Sequence, residues 1–197
     1  MTWIQTRTGA VFDFEDMGSS PVRPDDVAWS IAHQCRFNGH TRVFYSVAEH
    51  SIEMLRLAQK HGYAERHGPA LELAILVHDA HEAYVGDVPR PIKGMLGKAW
   101  ADFESACERC VRDRLGAGEI DDAVWELVSR LDKSMLRIEA SELMHWPDRA
   151  WVFGPQLPIT GGVIGAGSDA PEKVARQWLR AYECARVDYR KAKGGTG

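Results

Sequence analysis

Leu76-Val77-His78-Asp79-Ala80-His81-Glu82 lies inside the most apolar stretch of the chain. From Ala70 to Val85 the residues are apolar almost all round, and Leu71, Ala74, Ile75, His78, Glu82 and Val85 share one face at helical spacing. The stretch therefore reads as a central, buried helix. Gly86 stops it, and the prolines at 89 and 91 force an extended connector over residues 86–94, because proline disfavours helix at the residue before it. Polar side chains inside such a helix need partners, since an unpaired buried carboxylate costs several kcal/mol.

The surrounding sequence supplies further helices. Val47, His50, Met54 and Ala58 recur at spacings of three and four between Val47 and His61, with Leu55 adjoining, so His50 faces the core side. Before it, Asp25 is expected to cap a helix that runs to about Cys35 and stops at Asn38-Gly39. Trp3, Ile4, Val11, Phe12 and Phe14 flank a Thr8-Gly9 turn, the pattern of a small hairpin. A fourth helix spans about Leu96 to Leu115 with the stripe Leu96, Trp100, Phe103, Cys107, Cys110 and Val111, and Gly116 and Gly118 end it. A fifth starts near Asp121 and carries Val124, Leu127, Val128, Leu131, Met135 and Ile138, which places Asp132 beside its apolar stripe. Pro147 to Gly167 reads as a long surface loop, Pro171 to Lys191 as a last helix, and Lys193 to Gly197 as a frayed end. The expected architecture is one all-α domain with a minor amino-terminal β-hairpin.

Composition narrows the class. A chain of 197 residues, 45% hydrophobic and 26% charged, suits one sizeable core. The absence of an apolar run of about 18 residues argues against a membrane span, and the start of the chain does not resemble a secretory signal. A formal charge of -4 and a pI near 6.1 argue against a broad basic surface for duplex nucleic acid, but leave room for a small anion in a local pocket. Four cysteines without a disulfide pattern point to a reducing cytoplasm, and Cys107 and Cys110, on an apolar stripe with no second pair, read as core packing.

Asp79 and Asp132 beside apolar stripes call for a cation, and one divalent ion answers both. The imidazoles of His50 and His78 with these carboxylates form a mixed nitrogen and oxygen set. Such a set suits Mn, Fe, Co, Ni or Zn better than Mg or Ca. A lone His, an adjacent His-Asp and a distal Asp, each on a helix, resembles the HD superfamily of metal-dependent phosphohydrolases. Arg36-Phe37, Ser46-Val47-Ala48-Glu49-His50-Ser51, His78-Asp79-Ala80-His81-Glu82, Gly86-Asp87-Val88-Pro89 and Leu131-Asp132 stand in the order seen in small HD 5′-deoxynucleotidases and related phage deoxynucleotide triphosphohydrolases. These motifs cover roughly residues 36–140. The resemblance implies the HD helical fold, a deoxynucleotide substrate and a homo-oligomer. It also implies His50, His78, Asp79 and Asp132 as ligands of one divalent transition metal ion, Glu82 and Asp87 as acid and base, and Arg36 with Phe37 as the grip on phosphate and base. Phe37 stands where the deoxynucleotidases carry Trp, and the spacing to His50 is one residue shorter.

The residue chemistry agrees. Glu82, four residues after His78 on the expected helix, can orient or deprotonate an attacking water, and Asp87 can protonate a leaving 5′ oxygen, with the two roles exchangeable. The alternative readings make Glu82 a hydrogen-bond partner of a ligand histidine and Asp87 a turn residue. Arg36 offers a bidentate fork, Phe37 a π face, and Lys93 and Arg42 are further phosphate candidates. His81 is expected to pack or to support the ligands. Among His33, His40, His61, His67 and His145, only His40 stands close to Arg36. Trp178, Tyr182 and Tyr189 read as core or as a subunit contact. The expected activity removes phosphate from a deoxynucleoside 5′-monophosphate. One alternative is a dATP-type triphosphohydrolase; another, of a different class, is a non-catalytic metal-binding nucleotide sensor.

Overall fold

In the computed structural model, which describes residues 1–163 and 165–194, two short strands, β1 (Trp3–Gln5) and β2 (Val11–Asp13), pair antiparallel with Ile4 opposite Phe12. The buried Asp26 carboxylate ties this hairpin to α1 (Pro24–His33) by accepting from the Thr6 hydroxyl at 2.8 Å and from the Thr8 amide and hydroxyl at 2.8 and 2.7 Å. Asp26 is thus committed to the hairpin, and Asp25 does not cap: Arg23 is the flanking residue and Pro24 opens the helix. The helix also stops at His33, short of Cys35. Residues 34–36 instead run beside 45–47, with the Arg36 amide donating to the Tyr45 carbonyl at 2.9 Å and the Val47 amide to the Gln34 carbonyl at 3.2 Å. That pairing withdraws their backbone groups from the helix and lays Arg36 against the start of the next one. Asn38-Gly39 belongs to a separate 3-10 turn, Arg36–Gly39.

The next helix, α2 (Val47–Lys60), opens with a reciprocal cap in which Ser46 Oγ accepts from the Glu49 amide and the Glu49 carboxylate accepts from the Ser46 amide. This fixes His50 in the first turn. Gly68, at φ 67°, breaks α3 (Tyr63–Val77) just before Pro69, and the apolar run from Leu71 to Val77 is buried.

The expected central helix is cut at Val77. Residues 78–81 form a tight turn, with the Glu82 amide donating to the Asp79 carbonyl and the Tyr84 amide to the His81 carbonyl, both at 3.0 Å, before a one-turn α4 (Glu82–Val85). Ser30 of α1 donates to the Ala83 carbonyl and Gln34, just past the helix, to the Glu82 carbonyl, both at 3.0 Å, which holds the turn in place.

Likewise, α5 (Arg90–Arg114) begins inside the stretch expected to be a connector. Pro91 sits in its first turn, where a missing amide hydrogen breaks no helical bond. A break at Gly97 leaves Leu96 exposed, so the buried stripe reduces to Cys107 and Val111. All four cysteines are free.

Leu127, Val128, Leu131, Met135 and Ile138 of α6 (Asp122–Leu143) are buried as their spacing predicts. Between α6 and residue 170 no helix occurs among the described residues, yet the segment is fastened: the Leu157 amide donates to the buried Ser134 hydroxyl at 2.8 Å, and Leu157 and Ile159 are buried. The last helix, α7 (Pro171–Gly194), packs on α1 and α3. Its Trp178 and Tyr182 are fully buried and donate to the carbonyls of Leu76 at 3.1 Å and Leu115 at 2.9 Å. The aromatic face of α7 is therefore core, not a subunit contact. Lys193 and Gly194 are helical rather than frayed, and residues 195–197 lie outside the described residues. Among the described residues, no helix is long and apolar enough to cross a membrane.

Candidate metal centre

His50 from α2, His78 from the end of α3 and Asp132 from α6 converge: their ligating atoms all lie within 4.8 Å of one another. His50 Nε2 is 3.2 Å from His78 Nε2 and 3.4 Å from Asp132 Oδ1. Asp79 adjoins this trio. Its Oδ2 is 3.0 Å from His78 Nε2, 3.8 Å from His50 Nε2 and 3.5 Å from the Arg36 guanidinium.

The outer nitrogens of the two rings decide what the inner ones offer. His78 Nδ1 lies 2.7 Å from the Ile75 carbonyl, which can only accept, so Nδ1 carries the proton. His50 Nδ1 lies 2.6 Å from the Glu139 carboxylate, which despite its burial is held ionised by Arg36 and His50. Both neutral imidazoles therefore turn bare Nε2 lone pairs toward each other, an arrangement that only a cation or a proton relieves. These donors fit a divalent transition ion.

Without metal, the proton takes that place. Burial and Arg36 pull the His50 pKa down, but Glu139 and Asp132 outweigh them and raise it from 6.5 to about 9. A raised imidazole pKa stabilises the fold fully below the ordinary value and is lost as pH rises through the folded one. Chelator-treated protein is therefore expected to lose thermal stability between pH 6.5 and about 9, while metal-loaded protein holds or gains stability as competing protons leave. Parallel melting curves for the two forms would refute this assignment.

Glu139, absent from the sequence reading, organises the centre. Its carboxylate is fully buried and accepts from His50 Nδ1, from the Tyr45 hydroxyl at 2.8 Å and from Arg36 at 3.1 Å. It stands seven residues after Asp132, two turns along the same face of α6, and an acidic residue at that spacing is the signal that was available. Glu139→Gln is expected to weaken metal binding by about 10–100-fold, as is common when the carboxylate behind a ligand histidine is lost. Glu139→Ala should in addition destabilise the fold by about 3–5 kcal/mol, because it strips the buried Arg36 of its main partner. Metal titrations and melting curves on both variants test this; undiminished affinity would show that Glu139 does not orient His50.

A cavity of about 470 Å³ opens beside Asp79 and Asp132 and is also lined by Glu82 and Asp87. The 3-10 character of the turn puts residues three apart on one side. Glu82 therefore shares the cavity with Asp79, not the helix face with His78 that an unbroken helix would give. Glu82 is buried, and its Oε2 has no partner among the described residues. Burial first, then Asp79 and Asp87, push its carboxyl pKa well above the usual range; Asp87 is raised as well, chiefly by burial. Such a pair resists double ionisation and holds a proton.

Three cations face these acids. Arg36 is buried between Glu139 and Asp79, Lys93 pairs with Glu104 at 2.6 Å, and Arg90, not anticipated, pairs with Asp132 Oδ2 at 3.0 Å from the exposed side. Phe37 and His40 line the cavity too. Arg42 does not: its side chain donates to the Glu142 carbonyl at the end of α6. His81 is buried 3.9 Å from Glu104, where it backs Lys93 rather than the metal ligands. His33 stacks on Trp29, and His61 bonds to Thr160.

Fold and site together define a mostly α-helical protein with a His-His-Asp group able to bind a metal ion. No family model matches the chain. It is 31% identical over 160 residues to the uncharacterized protein YfdR of Escherichia coli K12, covering 81% of this chain and 83% of that one. It is 30% identical over 164 residues to an uncharacterized protein of Rhodobacter capsulatus, covering 80% and 82%. The chain belongs to the family of these two proteins.

Proposed function

We propose that the protein is a cytoplasmic metal-dependent phosphohydrolase of the HD type that removes phosphate from deoxynucleoside 5′-monophosphates. One observation carries the proposal: the His50, His78 and Asp132 donors adjoin a small-molecule-sized cavity that also holds two carboxyls whose pKa values burial raises and three cations. The order of the motifs from Arg36 to Asp132 supports the superfamily.

A divalent ion held by these donors supplies a Lewis acid for a phosphoryl oxygen and lowers the pKa of a water. Arg36 and Lys93 grip the phosphate. Of Glu82 and Asp87, the ionised one takes a proton from the attacking water and the protonated one gives a proton to the departing 5′ oxygen. The new bond joins water oxygen to phosphorus, and the phosphorus to 5′ oxygen bond breaks. With one proton held between Glu82 and Asp87, the cations Arg36, Arg90 and Lys93 are balanced by Asp79, Asp132 and the remaining carboxylate, so a bound dication would tip the cavity toward phosphate.

Purified protein loaded with Co or Mn should convert deoxynucleoside monophosphates to deoxynucleoside and phosphate when a panel of mono-, di- and triphosphates is resolved by chromatography. Turnover of triphosphates alone would move the substrate to the dATP-type class. No turnover of any nucleotide would overturn the hydrolase reading in favour of a sensor.

A further inference from the structure

The cavity lining combines charged with apolar and aromatic side chains. Beside the acids and cations it is lined by Phe37, Leu136, Met144 and Trp151, with the Arg36 guanidinium 5.7 Å from the Phe37 ring centroid. Phe37 adopts φ 54° and ψ 30°, a left-handed conformation that a bulky aromatic residue rarely takes. Trp151 comes from the segment between α6 and α7. It meets the Phe37 ring edge-on, with centroids 6.3 Å apart and planes at 81°, and stacks against Phe153 at 5.9 Å. Trp151 and Phe153 are half-buried while Val152 between them is 93% exposed, the alternation of an extended segment with one face turned inward. The bond from the Leu157 amide to Ser134 anchors this strap to α6 shortly after Trp151.

We propose that Trp151 is the residue by which the site distinguishes a nucleotide from a base-free sugar phosphate: with Phe37 it forms a right-angled aromatic corner that takes the nucleobase while the phosphate lies at the metal side. The proposal rests on the deoxynucleotide reading above. A flat base stacks on one ring and abuts the edge of the other, and such stacking is sequence-tolerant because every base has a π face.

Two measurements test it on the full-length protein. In the first, kcat/KM for deoxyadenosine monophosphate over that for deoxyribose 5-phosphate should fall at least about tenfold in Trp151→Ala and recover in Trp151→Phe. In the second, calorimetric affinity for deoxyadenosine, which needs no turnover, should fall in the same order. An equal loss on both substrates, or unchanged deoxyadenosine affinity in Trp151→Ala, would overturn the proposal. Wild-type protein that binds deoxyadenosine through Trp151 but hydrolyses nothing would instead overturn the hydrolase reading and leave the corner standing.

Discussion

Asp132→Ala is expected to yield folded protein without bound metal. Asp132 is the carboxylate member of the mutually close trio, and its removal leaves two imidazoles whose lone pairs a proton can satisfy as well as a metal can. It also frees Arg90, whose guanidinium lies 3.0 Å from Asp132 Oδ2, so a cation is left facing the ion's position. Loss of one ligand together with exposure to that cation should lower affinity by more than the roughly 10–100-fold typical of changes behind a ligand, and any phosphatase activity should fall to background. The Asp132 side chain is 21% exposed and stands at the cavity rather than in the apolar core, so helical content should be retained. Elemental analysis of purified wild-type and variant protein, with circular dichroism as the control for folding, decides the matter. Full occupancy in Asp132→Ala would remove Asp132 from the ligand set. The same experiment on Asp79→Ala establishes whether the residue beside the trio completes the coordination.

The second large effect is the opposite dissociation, metal kept and chemistry lost. Glu82→Gln preserves the shape of the side chain but can neither take nor give a proton as a carboxyl does. Turnover should fall by about 10²–10⁴-fold, the usual contribution of a positioned acid or base, with metal content unchanged. Stability should move the other way. A carboxyl whose pKa is raised by folding destabilises the protein increasingly as pH climbs above the ordinary carboxylate value of 4.5, and glutamine removes that burden. Glu82→Gln should therefore melt higher than wild type at neutral pH while being nearly inactive, a trade typical of functional sites. Equal turnover in the two proteins would assign Glu82 to packing. A sensor would keep its nucleotide binding in this variant and show no turnover in either form.

These residues were legible in the sequence to different degrees. His50 and Asp132 stand at or beside apolar positions of long amphipathic runs, where an ionisable group demands a partner, and helical periodicity is local enough to read directly. The long α6 stripe and the hairpin follow the same logic. The Val77 break did not show, because the hydrophobic run continues through it and nothing in residues 78–81 forbids helix. Ser30 of α1 and Gln34 just after it, which bond to the Ala83 and Glu82 carbonyls, help to hold the tight turn. Pro91 shows the converse: a proline bars helix in the interior, but at the first turn of α5 it is compatible with one.

By itself the sequence determined that the chain is helical and that polar residues recur inside its apolar faces, among them the imidazoles and the carboxylate of a group able to bind a metal ion. Only the tertiary structure decided which groups meet. Glu139 fixes the tautomer of His50 from 89 residues away, Arg90 shares Asp132 with the centre, and the strap after α6 brings Trp151 against Phe37. Local spacing encodes the face a side chain occupies, but hydrogen bonds, charge pairs and ring contacts between distant segments exist only once the chain has packed.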